Sequence, residues 1–231
     1  MASSATTSSR RRKPVCLTAG RVPTVRQGVL ARLPTDSVET RLRDGTPVLV
    51  RPIGPSDRAL IQQGFHSLSE ESRLRRFLVP TSALTEPELD YLTRLDYWDH
   101  FAWGAVRADR PAEGMGVARY IRLQGEPGVA EAAVTVVDAY QRLGLGTLML
   151  GLLTAAALTA GISTFRAYVL EENLPMRKLL EGLGARAEFD SPGILCMDIP
   201  LAPELMPDTP TARALKEAAS RVTPESPRFD L

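Results

Sequence analysis

A run of seven residues, Gln141-Arg142-Leu143-Gly144-Leu145-Gly146-Thr147, lies between a β-branched stretch, Val134-Thr135-Val136-Val137, and a long uncharged one. Strand, glycine loop and helix in that order make an anion site. The first helical turn has N–H groups without intrahelical partners and carries the positive end of the dipole, so it receives a pyrophosphate well. Gly144 and Gly146 lack Cβ, which lets oxygen atoms approach the backbone. The loop lacks the Gly-Lys-Ser/Thr ending of a triphosphate-binding loop, and its glycine spacing is not that of the dinucleotide fingerprint.

Composition narrows the class. The chain has 231 residues, 44% of them apolar, which suits one domain with tails. Its formal net charge is +1, so nothing global points to nucleic acid. Through Asp36 there are seven basic residues and one acidic, a head of +6 that leaves −5 for the remainder. Residues 1–37 therefore read as a disordered basic arm, with an organellar transit peptide or nucleic-acid contact as the weaker readings. Cys16 and Cys196 are the only cysteines, which fits a reducing compartment and a cytoplasmic location. His66 and His100 are the only histidines, so no histidine-rich metal site is expected.

Leu143 to Phe165 carries no charge and has the length of a membrane span. Its Gly, Ala and Thr content and the interruption at Gly161 speak against one. A helix buried on most sides is expected, its outer face available to a second copy of the chain in a homo-oligomer.

The elements that must position the loop follow from pattern. Val38 opens a strand, Asp44-Gly45 turns it, and Val48-Leu49-Val50 returns. Short helices are expected from Ser56 to Phe65, from Ser69 to Phe77, and from the capping box Thr85-Glu86-Pro87-Glu88 to Arg94. Strands are expected over Phe101–Val106, Gly116–Leu123 and Glu131–Val137, with Asp109–Gly114 as a turn-rich connection. A helix over Gly144–Ala160, a strand over Thr164–Val169, a helix over Pro175–Gly182 and a strand over Ile194–Ile199 complete a mixed α/β sheet. Residues 38–200 form the domain. Residues 201–231 read as a peripheral, proline-rich tail with one short helix within Thr209–Val222.

Q/R-x-x-G-x-G/A after a strand is the acyl-CoA motif of the GNAT superfamily, and Gln141, Gly144 and Gly146 match it. Asn173-Leu174-Pro175-Met176, with Leu179-Leu180-Glu181-Gly182-Leu183-Gly184, resembles the family's second cofactor element. A closer resemblance, to the catalytic domain of bacterial Pat-type protein lysine acetyltransferases, rests on several segments. These are Leu42-Arg43-Asp44-Gly45-Thr46, Ser69-Glu70-Glu71-Ser72-Arg73, Leu95-Asp96-Tyr97, Gly116-Val117-Ala118-Arg119-Tyr120 and Ala130-Glu131.

The resemblance implies a GNAT fold: a central, mostly antiparallel sheet with a splayed parallel pair holding acetyl-CoA. It implies cofactor contacts from Gln141 to Thr147 and from Asn173 and Met176. The backbone of Val134, Thr135 and Val136 would hold the pantetheine and thioester, and Glu131 would be the general base. Direct transfer to a protein lysine is the expected reaction, without a metal. A small amine as acceptor, or an acyl-CoA sensor without catalysis, are the competing readings. The tyrosine that many members place seven residues after the asparagine is Leu180 here, so the acid for the leaving thiolate is missing, comes from elsewhere or is not needed; Tyr140 and Tyr168 are candidates, each read first as packing. Cys196 and His100 read as structural, and Glu171 and Glu172 as a solvated pair.

Overall fold

The computed structural model describes residues 37–222, and the call of a basic arm falls on residues that lie, but for the last, outside the described ones. Eight strands form one sheet in the order β1-β2-β3-β4-β5-β6-β8-β7. The first half is an antiparallel meander of β1 (Val38–Arg41), β2 (Pro47–Pro52), β3 (His100–Arg107), β4 (Arg110–Leu123) and β5 (Glu126–Val136). Three helices enter between β2 and β3: α1 (Arg58–His66), α2 (Glu70–Phe77) and α3 (Glu86–Thr93). The capping box expected at Thr85 is formed, with Glu88 Oε2 accepting from the Thr85 N–H at 2.7 Å.

After β5 the chain runs through a 3-10 turn, Asp138–Tyr140, into α4 (Leu145–Thr159), then β6 (Thr164–Leu170), α5 (Leu174–Glu181), β7 (Arg186–Ser191), β8 (Ile194–Pro200) and α6 (Pro210–Ser220). The segment read as turn-rich is mostly strand: β4 begins at Arg110 behind the two-residue turn Ala108-Asp109. Gly116 lies inside that strand because a Cβ there would come within 2.7 Å of Thr135 O.

Two expectations are corrected here. β7 was not anticipated. It is the sheet edge and is exposed along nearly its whole length, so it has no buried face to leave a period-2 signal. The tail is not peripheral either: α6 packs on α4 and buries Ala212, Leu215 and Ala218. The uncharged face of α4 is thus covered by the chain's own last helix, not held ready for another subunit. Gly151 makes the close approach possible, since a Cβ there would stand 2.6 Å from both Ala218 Cβ and Leu215 O. Gly151→Val is expected to destabilise the fold by about 2 kcal/mol through overpacking, read as a lower urea midpoint. Among the described residues no helix is long and apolar enough to cross a membrane.

Candidate acyl-donor cleft

β5 and β6 pair in parallel at only three positions, Val129↔Thr164, Ala130↔Phe165 and Glu131↔Arg166. β5 then continues to Val136 and β6 to Leu170 with no further pairing between them, so the sheet opens as a V. β6 is held on its other side by β8 along its whole length, and β5 by β4, which keeps the gap open.

The gap is a cleft of about 610 Å³. Val134, Thr135, Val136, Gln141, Arg142, Gly144, Gly146, Thr147, Asn173 and Met176 all line it. Leu143 and Leu145 do not. Leu145 is fully buried and Leu143 packs against the core, so each can offer the cleft only its backbone.

The loop is shaped by left-handed residues. Arg142 has φ +62° and Gly144, the residue before α4, φ +94°. Positive φ at these two positions turns the loop sharply into the helix. Gly146 serves differently. A Cβ there would meet only Val136 and Val134 side chains, at 3.8 and 4.0 Å, so the protein itself has room for one. What that glycine keeps clear is the cleft.

Gln141 is a brace. Its Nε2 donates to Val136 O (3.1 Å) and Ser72 Oγ (3.2 Å), tying the loop to β5 and α2. Asp138 completes the joint by accepting from Ser69 N–H (3.0 Å), Ser69 Oγ (2.9 Å) and Ser72 Oγ (2.8 Å) at the start of α2. Partial burial pushes the Asp138 carboxyl upward. The hydrogen bonds from Ser69 and Ser72 outweigh it, and the group sits below its ordinary value. A lowered carboxyl stabilises the fold above its unfolded value and stops doing so as pH falls through the folded one. The Asp138→Asn difference in thermal midpoint should therefore be full near neutrality and vanish on acidification below about pH 4.

The docking of α2, and the bond from Arg43 N–H to Leu143 O (3.3 Å), bring in side chains whose cleft role pattern reading missed. Arg43, Arg75 and Arg76 line the cleft with Arg142, and among the described residues no acidic one does. Arg43 Nε lies 3.6 Å from where a Gly144 Cβ would be. Arg142 lies in the glycine motif, but Arg43 and the α2 pair Arg75 and Arg76 share no spacing with it, so no local pattern placed them at the same cleft. The inner walls are apolar, among them Val134, Leu150, Phe165, Val169, Met176 and Leu180.

The β5 backbone divides by direction. Val137 N–H donates to Met115 O at 2.9 Å, and ladder alternation turns Thr135 toward β4 as well. The amides of Ala132, Val134 and Val136 point into the gap instead. Thr135 therefore contributes its side chain and not its N–H.

Asn173 is 7% exposed, and its Oδ1 caps α5 by accepting from Met176 N–H (3.3 Å), which leaves its amide N–H groups to the cleft. Glu131 stands at the last paired position before the splay. It is 3% exposed, and its side chain lies on the sheet face opposite α4. Its neighbours Ala132 and Ala133 line the cleft and it does not.

A cationic glycine loop at the mouth of a splayed parallel pair, with apolar walls behind it, can hold a long diphosphate carrier. Sequence comparison agrees with the geometry. The profile of the Acetyltransferase (GNAT) domain family matches residues 48–186. The chain belongs to the GNAT acetyltransferase family.

Two bacterial relatives are similar to this GNAT chain. Acetyltransferase Pat of Mycolicibacterium smegmatis is 34% identical over 176 residues, 72% of this chain and 49% of that protein. Acetyltransferase PA5475 of Pseudomonas aeruginosa is 32% identical over 166 residues, 71% of this chain and 89% of that one. The chain thus spans about half the length of the first relative. The crystal structure of the GNAT domain of S. lividans PAT superposes with a TM-score of 0.65 at 26% identity, covering 71% of this chain and 96% of that one.

The candidate proton donors separate clearly. Leu180 is 3% exposed and apolar. Tyr140 is buried and donates its hydroxyl to Glu113. Tyr168 lines the cleft; burial, and then the charges of Glu131 and Asp190, push its phenol upward, so it keeps its proton. Cys196, beside it on β8, is pushed up to about 11 by burial and is no thiolate at neutral pH.

Proposed function

We propose that the chain transfers an acetyl group from acetyl-CoA to the ε-amine of a protein lysine. The observation that carries this reading is the cleft itself: among the described residues, four arginines and no carboxylate line an open β5–β6 gap with apolar walls.

Amides at the start of α4 and the arginines Arg43, Arg75, Arg76 and Arg142 would receive the phosphates. Val134, Val136, Leu179 and Met176 would flank the pantetheine, with the free donors of Asn173 on its amides. Acetyl-CoA supplies an activated acyl group, and the chain's residues do the rest. The Val134 N–H, turned into the gap, is placed to meet negative charge on the carbonyl oxygen. A lysine amine has an ordinary value near 10.4 and must shed a proton to attack at pH 7. Glu131 takes it through a water, because the carboxylate is buried behind Ala132 and Ala133. Tyr168 gives a proton to the departing sulfur, in the absence of a hydroxyl at Leu180. Tyr168→Phe is expected to lower kcat about tenfold with little change in KM for acetyl-CoA.

The acceptor is tested by incubating radiolabelled acetyl-CoA with a lysine peptide panel and, separately, with polyamines and aminoglycosides. Label on lysine Nε is expected. Label on small amines alone would overturn the lysine assignment. Uptake of acetyl-CoA with no label on any amine would make the chain a sensor.

A further inference from the structure

A second cavity adjoins the donor cleft. It lies on the sheet face opposite α4, between the strands β3, β4 and β5 and the helices α1 and α2, and has a volume of about 90 Å³. Its floor follows one cross-strand row, Gly104↔Val117 and Val117↔Thr135. Cross-strand partners share a face, and Val117 packs with Ile53 and Ala102 rather than with the α4 core, which fixes that face. Gly104 has no side chain and Val117 and Thr135 have short ones, so the floor is low. The roof is a stripe of α1 at helical spacing, Leu60, Ile61, Gly64 and Phe65. Gly64 is the member of that stripe without a side chain, and a Cβ there would meet nothing within 4 Å.

The walls suit an apolar occupant. Among the described residues, the charged side chains that reach the cavity are Arg51, Asp57, Arg76 and Arg119, and each is engaged. Asp57 accepts from Arg51 Nη1 (2.8 Å), Arg51 Nη2 (2.5 Å) and the Gly54 N–H (2.9 Å). Arg119 donates to Leu92 O at 3.1 Å and to His100 Nε2 at 2.9 Å. The Arg76 guanidinium lies over the Phe77 ring, 5.2 Å from its centre. Apart from the Thr135 hydroxyl, the other side chains of the lining are hydrocarbon. Water held there would be short of partners, whereas an apolar guest leaves water and breaks no bond.

The cavity is continuous with the donor site. Thr135 and Arg76 line both it and the cleft, so Thr135 stands between the two spaces. It follows Val134, whose N–H is turned into the gap where the thioester carbonyl would lie. We propose that the cavity beneath α1 and α2 receives the hydrocarbon of donors longer than acetyl, so that the protein also takes straight-chain acyl-CoA of about three or four acyl carbons, with Thr135 at the threshold and the bare Gly64 giving the depth. This rests on the donor lying in the β5–β6 gap with its thioester beside Val134. The size agrees: a cavity of about 150 Å³ holds a benzene ring, so one of about 90 Å³ holds a few carbons and no fatty chain. The transfer itself is unchanged. The thioester C–S bond breaks, the amide C–N bond forms, the amine loses a proton and the departing sulfur gains one.

The test is a ladder of chain lengths read by calorimetry, with acetyl-, propionyl- and butyryl-CoA titrated into the wild type and into Gly64→Leu. In the wild type butyryl-CoA should bind about tenfold tighter than acetyl-CoA, as two further buried methylenes dictate, with propionyl-CoA between them. Gly64→Leu fills the cavity from its roof. Glycine is a poor helix former and the first added carbon is unopposed, so the variant should fold. It should cancel the butyryl gain and leave acetyl-CoA affinity within about twofold. Butyryl-CoA no tighter than acetyl-CoA in the wild type would leave the cavity to the acceptor and overturn the proposal. So would a butyryl gain that a folded Gly64→Leu does not reduce. The wild-type ladder needs no variant, so it decides even if Gly64→Leu misfolds. Binding is read without an acceptor, so failure of the lysine assignment would not alter the ladder. No uptake of any acyl-CoA would overturn the donor site and the cavity's role together.

Discussion

Glu131→Gln is expected to lower acetyl transfer by about a thousandfold while the protein still takes up acetyl-CoA within about twofold of wild-type affinity. The two halves of that result come from separate parts of the fold. Uptake depends on the loop before α4, the arginines and the apolar walls, and Glu131 does not line that cleft. Turnover depends on removing a proton from an amine that is almost wholly protonated at neutral pH. The amide is close in shape to the carboxylate and cannot accept that proton. Single-turnover rates with a lysine peptide, measured beside calorimetric titration of acetyl-CoA, read both halves. Unchanged turnover would take Glu131 out of the chemistry, and joint loss of turnover and uptake would mean that the substitution had damaged the cleft.

Gly146→Leu should act in the opposite way, weakening acetyl-CoA uptake about a hundredfold with little change in thermal midpoint. The reason is the space around that residue. A Cβ would make only ordinary contacts with Val134 and Val136, so the first carbon is tolerated by the protein. The carbons beyond it extend into the gap that the donor must occupy. Gly144 would be a poorer probe: its φ of +94° strains any side chain, and the loss of binding would be mixed with a loss of fold. A folded Gly146→Leu protein with wild-type affinity would place the donor elsewhere.

Much of this architecture was legible because the decisive signals are local. Strand, Gln141-x-x-Gly144-x-Gly146 and helix occur within one continuous stretch, and the Asp44-Gly45 turn and the Thr85 capping box are each written in four or five residues. What pattern reading could not reach depends on distant partners. Arg75 and Arg76 reach the cleft on α2, which Asp138 ties to the loop through Ser69 and Ser72, and Arg43 reaches it from the β1–β2 turn, whose Arg43 N–H donates to Leu143 O at 3.3 Å. The burial of α6 depends on one missing side chain, at Gly151, in a helix sixty residues away in sequence. The idle direction of the Thr135 amide follows from the register with β4, which no single strand carries.

The most direct test is a calorimetric titration of acetyl-CoA into the folded protein and into Gly146→Leu. One donor bound per chain by the wild type, and uptake sharply weakened by the added side chain, is the expected result. No heat from the wild type, or the same isotherm from both proteins, would contradict the placement of the donor in the β5–β6 gap.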